Sequence, residues 1–106
     1  MTDHPAPRHL SLEARRLWRE TLRAYDLEAR HETILMVALE ALDRMREAQA
    51  AVAKDGAYVV GRFGMKSHPG LAVERDSRLA FLRAQRELGL DLEAPAASRP
   101  PSRWRA

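Results

Sequence analysis

Four arginines, Arg15, Arg16, Arg19 and Arg23, are by type and spacing the residues of this chain best suited to do chemistry. Projected onto a helix at about 100° per residue, they fall within one arc of roughly 100°. A row of planar, permanently charged guanidiniums neutralises successive phosphates, so these four are the candidate nucleic-acid contacts. The competing reading is a solvated helix face on which they pair with acids such as Glu20.

A second cationic group lies near the end of the chain, where Arg99, Arg103 and Arg105 surround Trp104. Guanidiniums beside an indole suit either phosphates with a stacked base or a groove on a protein partner. Trp18 and Tyr25, by contrast, fall on an apolar face and are expected in the core.

Other chemistries find no foothold. His4, His9, His31 and His68 lie in separate segments without the i, i+4 spacing of a helical zinc pair, so no metal site is expected. Gly61-Arg62-Phe63-Gly64-Met65-Lys66 lacks the spacing of a phosphate-cradling loop, which needs an adjacent Gly-Lys pair followed by Ser or Thr. No serine sits in a nucleophile motif, and Glu74 and Asp76 do not share a helix face. The expectation is a non-enzymatic chain without cofactors.

Composition points the same way. With 106 residues, the chain has room for one small domain whose own core is of marginal stability. Small chains often recover the missing burial by self-association. The absence of cysteine excludes disulfides and cysteine-ligated metals. Basic residues number 18 against 15 acidic, and only Lys54 and Lys66 are lysines. The resulting net charge of +3 suggests a polyanionic partner without establishing one. No apolar run approaches the roughly 20 residues of a membrane span, and Met1 to Arg8 lack the apolar centre of a signal peptide. A soluble intracellular protein is expected.

The elements that must position these residues are mainly helical. Residues 1–10 carry Pro5 and Pro7 and read as a flexible arm. Ser11 is a good N-cap for a first helix over 12–24, with Leu17, Ala14, Tyr25, Trp18 and Leu22 on its apolar face. Residues 26–30 read as a turn. A long second helix is expected over 31–54, with Ile34, Ala38, Ala41, Leu42, Met45, Ala48 and Val52 as its core stripe. Met36, Val37 and Leu39 widen the apolar surface and are assigned to a subunit interface. Gly56 suits a left-handed C-cap. Tyr58, Val59 and Val60 have strand propensity, Gly61 to Gly64 can turn the chain, and Met65 and Lys66 return it. His68 and Pro69 open a third helix that stops at Gly89. Val73, Ala80, Phe81, Ala84 and Leu88 are expected on its inner face. Leu71, Arg75, Leu79 and Leu82 are assigned to an adjacent subunit. Residues 91–106 read as a disordered Pro/Arg-rich tail.

Leu10-Ser11 followed by Leu17-Trp18, the alanine-rich long helix, Asp55-Gly56, the glycine-bearing hairpin, His68-Pro69 and the closing Glu87-Leu88-Gly89-Leu90 occur in one order and spacing. In this, residues 10–90 resemble the compact phage terminase small-subunit family. The tail departs from the family pattern, because Asp91-Leu92-Glu93-Ala94-Pro95 intervenes before Ser98-Arg99. The resemblance implies a ring-forming, mainly α protomer of three principal helices, with a small β-hairpin between the second and third. It implies double-stranded viral DNA and the terminase large subunit, which carries the ATPase and nuclease, as partners in the host cytoplasm. On that reading Arg15, Arg16, Arg19 and Arg23 bind DNA, and Arg99, Arg103, Trp104 and Arg105 contact DNA or the large subunit. Two alternatives stay open at this point. One is a helix-turn-helix regulator; the other is a helical scaffold or adaptor whose arginines serve only protein contacts.

Overall fold

The computed structural model describes residues 5–89 of the chain. Three helices, α1 (Leu12–Ala24), α2 (Ala29–Asp55) and α3 (Pro69–Leu88), carry an antiparallel hairpin, β1 (Tyr58–Gly61) and β2 (Gly64–Ser67), between the second and third. This is the mainly α architecture expected from the sequence.

Local chemistry sets the boundaries. Ser11 adopts an extended backbone, and its hydroxyl oxygen accepts from the Ala14 N–H at 3.1 Å, satisfying one of the open donors of α1. Glu13 stands in the first turn and Arg23 in the last, each complementing the helix dipole. α2 begins earlier than expected, so residues 26–28 link the helices and residues 29–30 belong to the helix. The reason is local: the His31 ring turns back, and its Nδ1 accepts from the Glu28 N–H at 3.4 Å.

The far end of α2 corrects a second expectation. Gly56 has a positive φ of 87°, but its ψ of 160° lies outside the left-handed helical region. The residue launches the extended hairpin instead of folding back over the helix end. The Gly56 N–H still closes the last turn on the Val52 carbonyl at 2.7 Å. Gly89, with φ 64° and ψ 18°, is the left-handed cap expected at the end of α3.

The hairpin pairs Tyr58 with Ser67, Val59 with Lys66, Val60 with Met65, and Gly61 with Gly64. Its base is tied where the His68 N–H donates to the Ala57 carbonyl at 2.7 Å. His68 then caps α3: its Nδ1 accepts from the Gly70 N–H at 2.8 Å while its Nε2 meets Asp55 Oδ2 at 2.9 Å. Donation by the Gly70 N–H requires an unprotonated Nδ1, so Nε2 carries the proton given to Asp55. A side chain at position 70 would crowd this joint, since a Cβ there would lie 3.1 Å from Val52 Cγ2.

The core lies where α1 and α3 pack on α2. Leu10, Ala14, Trp18, Leu35, Leu39, Leu42, Met45 and Leu88 form it, flanked by partly buried Leu17, Leu22, Ile34, Met36 and Phe81. Trp18 is buried as expected. Leu39 is not a surface residue: at 2% exposure it belongs to this chain's own core, and Leu35 joins it. The physical reason is that α2 is covered by two helices, so its buried arc is wider than one stripe. On α3 the inner face runs through Gly70, Ser77, Ala84 and Leu88, with Phe81 partly buried. Val73 and Ala80, expected inside, are exposed. α3 packs chiefly along α2 and meets α1 only near its C-terminal end, so its buried arc is narrow. The N-terminal segment also contributes, since Leu10 is buried and Ala6 packs against the cluster.

Candidate nucleic-acid interface

The docking of α1 decides which arginines face outward. Ser11 is held to the middle of α2 by Asp43, whose two carboxylate oxygens accept from the Ser11 N–H (2.8 Å) and the Ser11 hydroxyl. Two positions on, Glu13 receives a bidentate fork from Arg46, with Nε and Nη2 each 3.2 Å from a carboxylate oxygen. His9 Nε2 lies 2.7 Å from Glu40 Oε2, one turn earlier on α2. These contacts clamp the start of α1 and fix its rotation, with Ala14 and Trp18 turned inward.

With the helix so rotated, Arg16, Arg19 and Arg23 are exposed, and among the described residues none of the three has a hydrogen-bond or ion-pair partner. The pairing with Glu20 expected of a merely solvated face is not formed. Arg15 is half-buried, and its Nε donates to the Leu10 carbonyl at 2.9 Å, which ties the N-terminal segment to α1. Of the four predicted residues, then, three present unpaired guanidiniums and the fourth is partly committed to the fold. Leu12 lies in the same arc and is exposed, a feature the arginine pattern did not reveal.

Several other arginines are occupied. Arg46 continues from Glu13 to Gln49 (Nη1 to Oε1, 3.1 Å), and Gln49 Nε2 donates to Glu74 Oε2 at 3.1 Å. Glu74 also accepts from Arg78 Nη2 one turn along α3. The chain Glu13–Arg46–Gln49–Glu74–Arg78 therefore links all three helices. Helical spacing alone gives the Arg46–Gln49 and Glu74–Arg78 links. The links between helices, Glu13–Arg46 and Gln49–Glu74, join residues far apart in sequence that no spacing rule would pair. The Arg46 guanidinium is held above its ordinary pKa, first by its hydrogen bond to Glu13 and then by that carboxylate's charge. It thus stays charged throughout the neutral range. Arg75, assigned to an interface, is exposed and its Nε lies 3.3 Å from Asp76 Oδ1.

Of the remaining expected interface residues, Leu79 and Leu82 are 47% and 50% exposed on the outer face of α3, and Val37 is exposed on α2. Leu71 is half-buried, and Met36 packs partly against the core. Arg99, Arg103, Trp104 and Arg105 lie outside the described residues.

Where the three helices meet, Leu17, Thr21, Leu35, Phe81, Gln85 and Leu88 line a cleft of about 40 Å³. This is far below the several hundred cubic ångströms of a small-molecule site. Among the described residues no group of three or more His, Asp or Glu side chains is placed to hold a metal ion. No helix among them is long and apolar enough to cross a membrane.

The described residues thus present a helical domain whose clamped first helix carries an exposed arc of arginines. Residues 13–102 match the family described as phage terminase, small subunit, and the chain belongs to that family. Its role therefore lies in phage genome packaging. No curated protein and no solved structure matches the chain.

Proposed function

We propose that this protein is the non-catalytic DNA-recognition subunit of a phage terminase. It captures double-stranded viral DNA, delivers it to the large ATPase/nuclease subunit and modulates that subunit during packaging in the host cytoplasm. Residues 11–90 form the working domain on this reading, and residues 91–106 a tail whose Arg99, Arg103, Trp104 and Arg105 engage DNA or the large subunit.

The observation that carries the proposal is the contrast among arginines. Arg46 and Arg78 are consumed in the polar chain that links the helices, whereas Arg16, Arg19 and Arg23 stand unpaired along one outward arc. An uncompensated cationic stripe on a rigidly clamped helix suits a regular row of phosphates. Arg15 adds its charge from the flank. Each site is weak alone, and assembly of many copies into a ring raises the avidity without new contacts. Val37, Leu79 and Leu82, with Leu71, Arg75 and Met36 beside them, supply the subunit contacts.

The regulator reading is less well supported. A helix-turn-helix protein reads the major groove with its second helix, but here the 27-residue α2 is sheathed by α1 and α3 and the cations sit on the first helix.

The test is solution mass by light scattering together with binding of a labelled duplex across a salt series. A discrete multimer that binds duplex with steep salt dependence supports the proposal. A monomer that ignores DNA at low salt overturns it and favours the adaptor reading.

A further inference from the structure

The β-hairpin is not absorbed by the proposed function. Phe63, at its turn, is 96% exposed, and Val60 on β1 is 82% exposed. Successive strand residues alternate faces, so Tyr58 and Val60 share one face with their cross-strand partners Ser67 and Met65, while Val59 and Lys66 point to the other. At the tip the Arg62 guanidinium lies over the Phe63 ring, 5.6 Å from its centroid. That spacing is a cation–π contact.

Charge says what such a tip would meet. Residues 56–73 contain no Asp or Glu, but they hold Arg62 and Lys66. The nearest acid in sequence, Asp55, is engaged by His68 at the hairpin's base. An aromatic ring projecting from a two-stranded ribbon, flanked by cations and free of carboxylates, is complementary to a polyanion with stackable bases. Two-stranded ribbons enter DNA grooves, and apolar side chains wedge between base steps while cations neutralise the adjoining phosphates.

We infer that the hairpin is a second DNA contact, with Phe63 wedging at a deformable base step and Arg62 and Lys66 on the phosphates beside it. The inference rests on the proposed DNA-binding function but uses a separate surface. α1 is clamped to α2 through Asp43 and Arg46, whereas the hairpin leaves α2 beyond Asp55, roughly 13 Å further along the helix axis. Pyrimidine–purine steps, which unstack most readily, are the preferred sites of the wedge. The contact would give the protein a sensitivity to bendability that the α1 arginines alone lack.

The experiment uses the full chain and a mixed-sequence duplex of about 30 base pairs, with 2-aminopurine replacing adenine at its central TA and CA steps. Wild-type protein is expected to raise the 2-aminopurine fluorescence on binding. Phe63→Ala should abolish that rise and weaken binding roughly tenfold, whereas Phe63→Trp should keep both. Arg62→Gln with Lys66→Gln should lower the slope of log affinity against log salt by nearly 2. Phe63 makes no core contact of its own at this exposure, so circular dichroism of its variants should match wild type. Unchanged fluorescence and affinity in Phe63→Ala, with duplex binding still lost in an Arg16, Arg19, Arg23 triple variant, would overturn the hairpin contact and leave the α1 contact standing. A fall in oligomer mass in Phe63→Ala with DNA binding intact would assign the tip to a protein partner instead. Failure of the wild-type chain to bind any duplex at low salt would sink both readings.

Discussion

Asp43, in the middle of α2, accepts both the backbone N–H and the hydroxyl of Ser11, the N-cap of α1. The same hydroxyl oxygen accepts from the Ala14 N–H, so one carboxylate on α2 completes the cap of its neighbour. These bonds are charge-assisted and cross between helices, which makes Asp43 the main polar determinant of how α1 is seated. Replacement by Ala is expected to cost about 1–2 kcal/mol, at the lower end for charged hydrogen bonds because the site is only partly buried. Asp43→Asn should lose less, since one oxygen can still accept. Urea unfolding checks this as a lower midpoint at unchanged slope. An unaltered midpoint would mean that apolar contacts alone seat α1.

The unpaired arginines make a prediction that separates binding from folding. Because Arg16, Arg19 and Arg23 have no side-chain partners among the described residues, changing all three to Gln should leave the thermal midpoint within error of wild type. Fluorescence anisotropy with a labelled duplex should show weaker binding and a salt slope lower by roughly 2–3. The control is Arg46→Gln, which breaks the fork to Glu13 and is expected to leave the DNA salt slope unchanged.

Leu39 and Leu79 offer a direct contrast on the apolar side. Leu39→Ala opens the core of the chain itself and should lower stability by about 2–5 kcal/mol. Leu79→Glu, alone or with Leu82→Glu, places charge on the exposed face of α3 and should leave helicity intact while reducing oligomer mass. Light scattering after size exclusion reads the second outcome. A mass unchanged by both glutamates would remove this face from the subunit interface.

His68 couples the end of α2 to the start of α3, with one ring nitrogen on the Gly70 N–H and the other on Asp55. His68→Ala leaves the α3 amide without its cap and is expected to cost about 1 kcal/mol. His68→Asn, whose side-chain oxygen can still cap, should recover most of that loss. Paired denaturation curves decide between the two.

The sequence by itself determined what depends on neighbours along the chain. Ser11, His68-Pro69 and Gly89 mark helix ends because capping and backbone conformation are settled within a few residues. The glycines at 61 and 64 likewise announce the hairpin, and the arc of arginines on α1 follows from helical spacing alone. At Gly56 the positive φ was legible, but the direction in which the chain leaves was not, because it depends on where the hairpin is anchored. Tertiary structure alone decided the widths of the buried faces. Periodicity identifies an apolar direction, whereas the number of partners sets how far burial spreads around it. That is why Leu39 went inside on the doubly covered α2 and Val73 stayed outside on α3. Tertiary packing also decided which charges were spent. Glu13 and Arg46, or Ser11 and Asp43, meet only because α1 lies against α2. Only after those pairs form are Arg16, Arg19 and Arg23 left as the unpaired cations of α1.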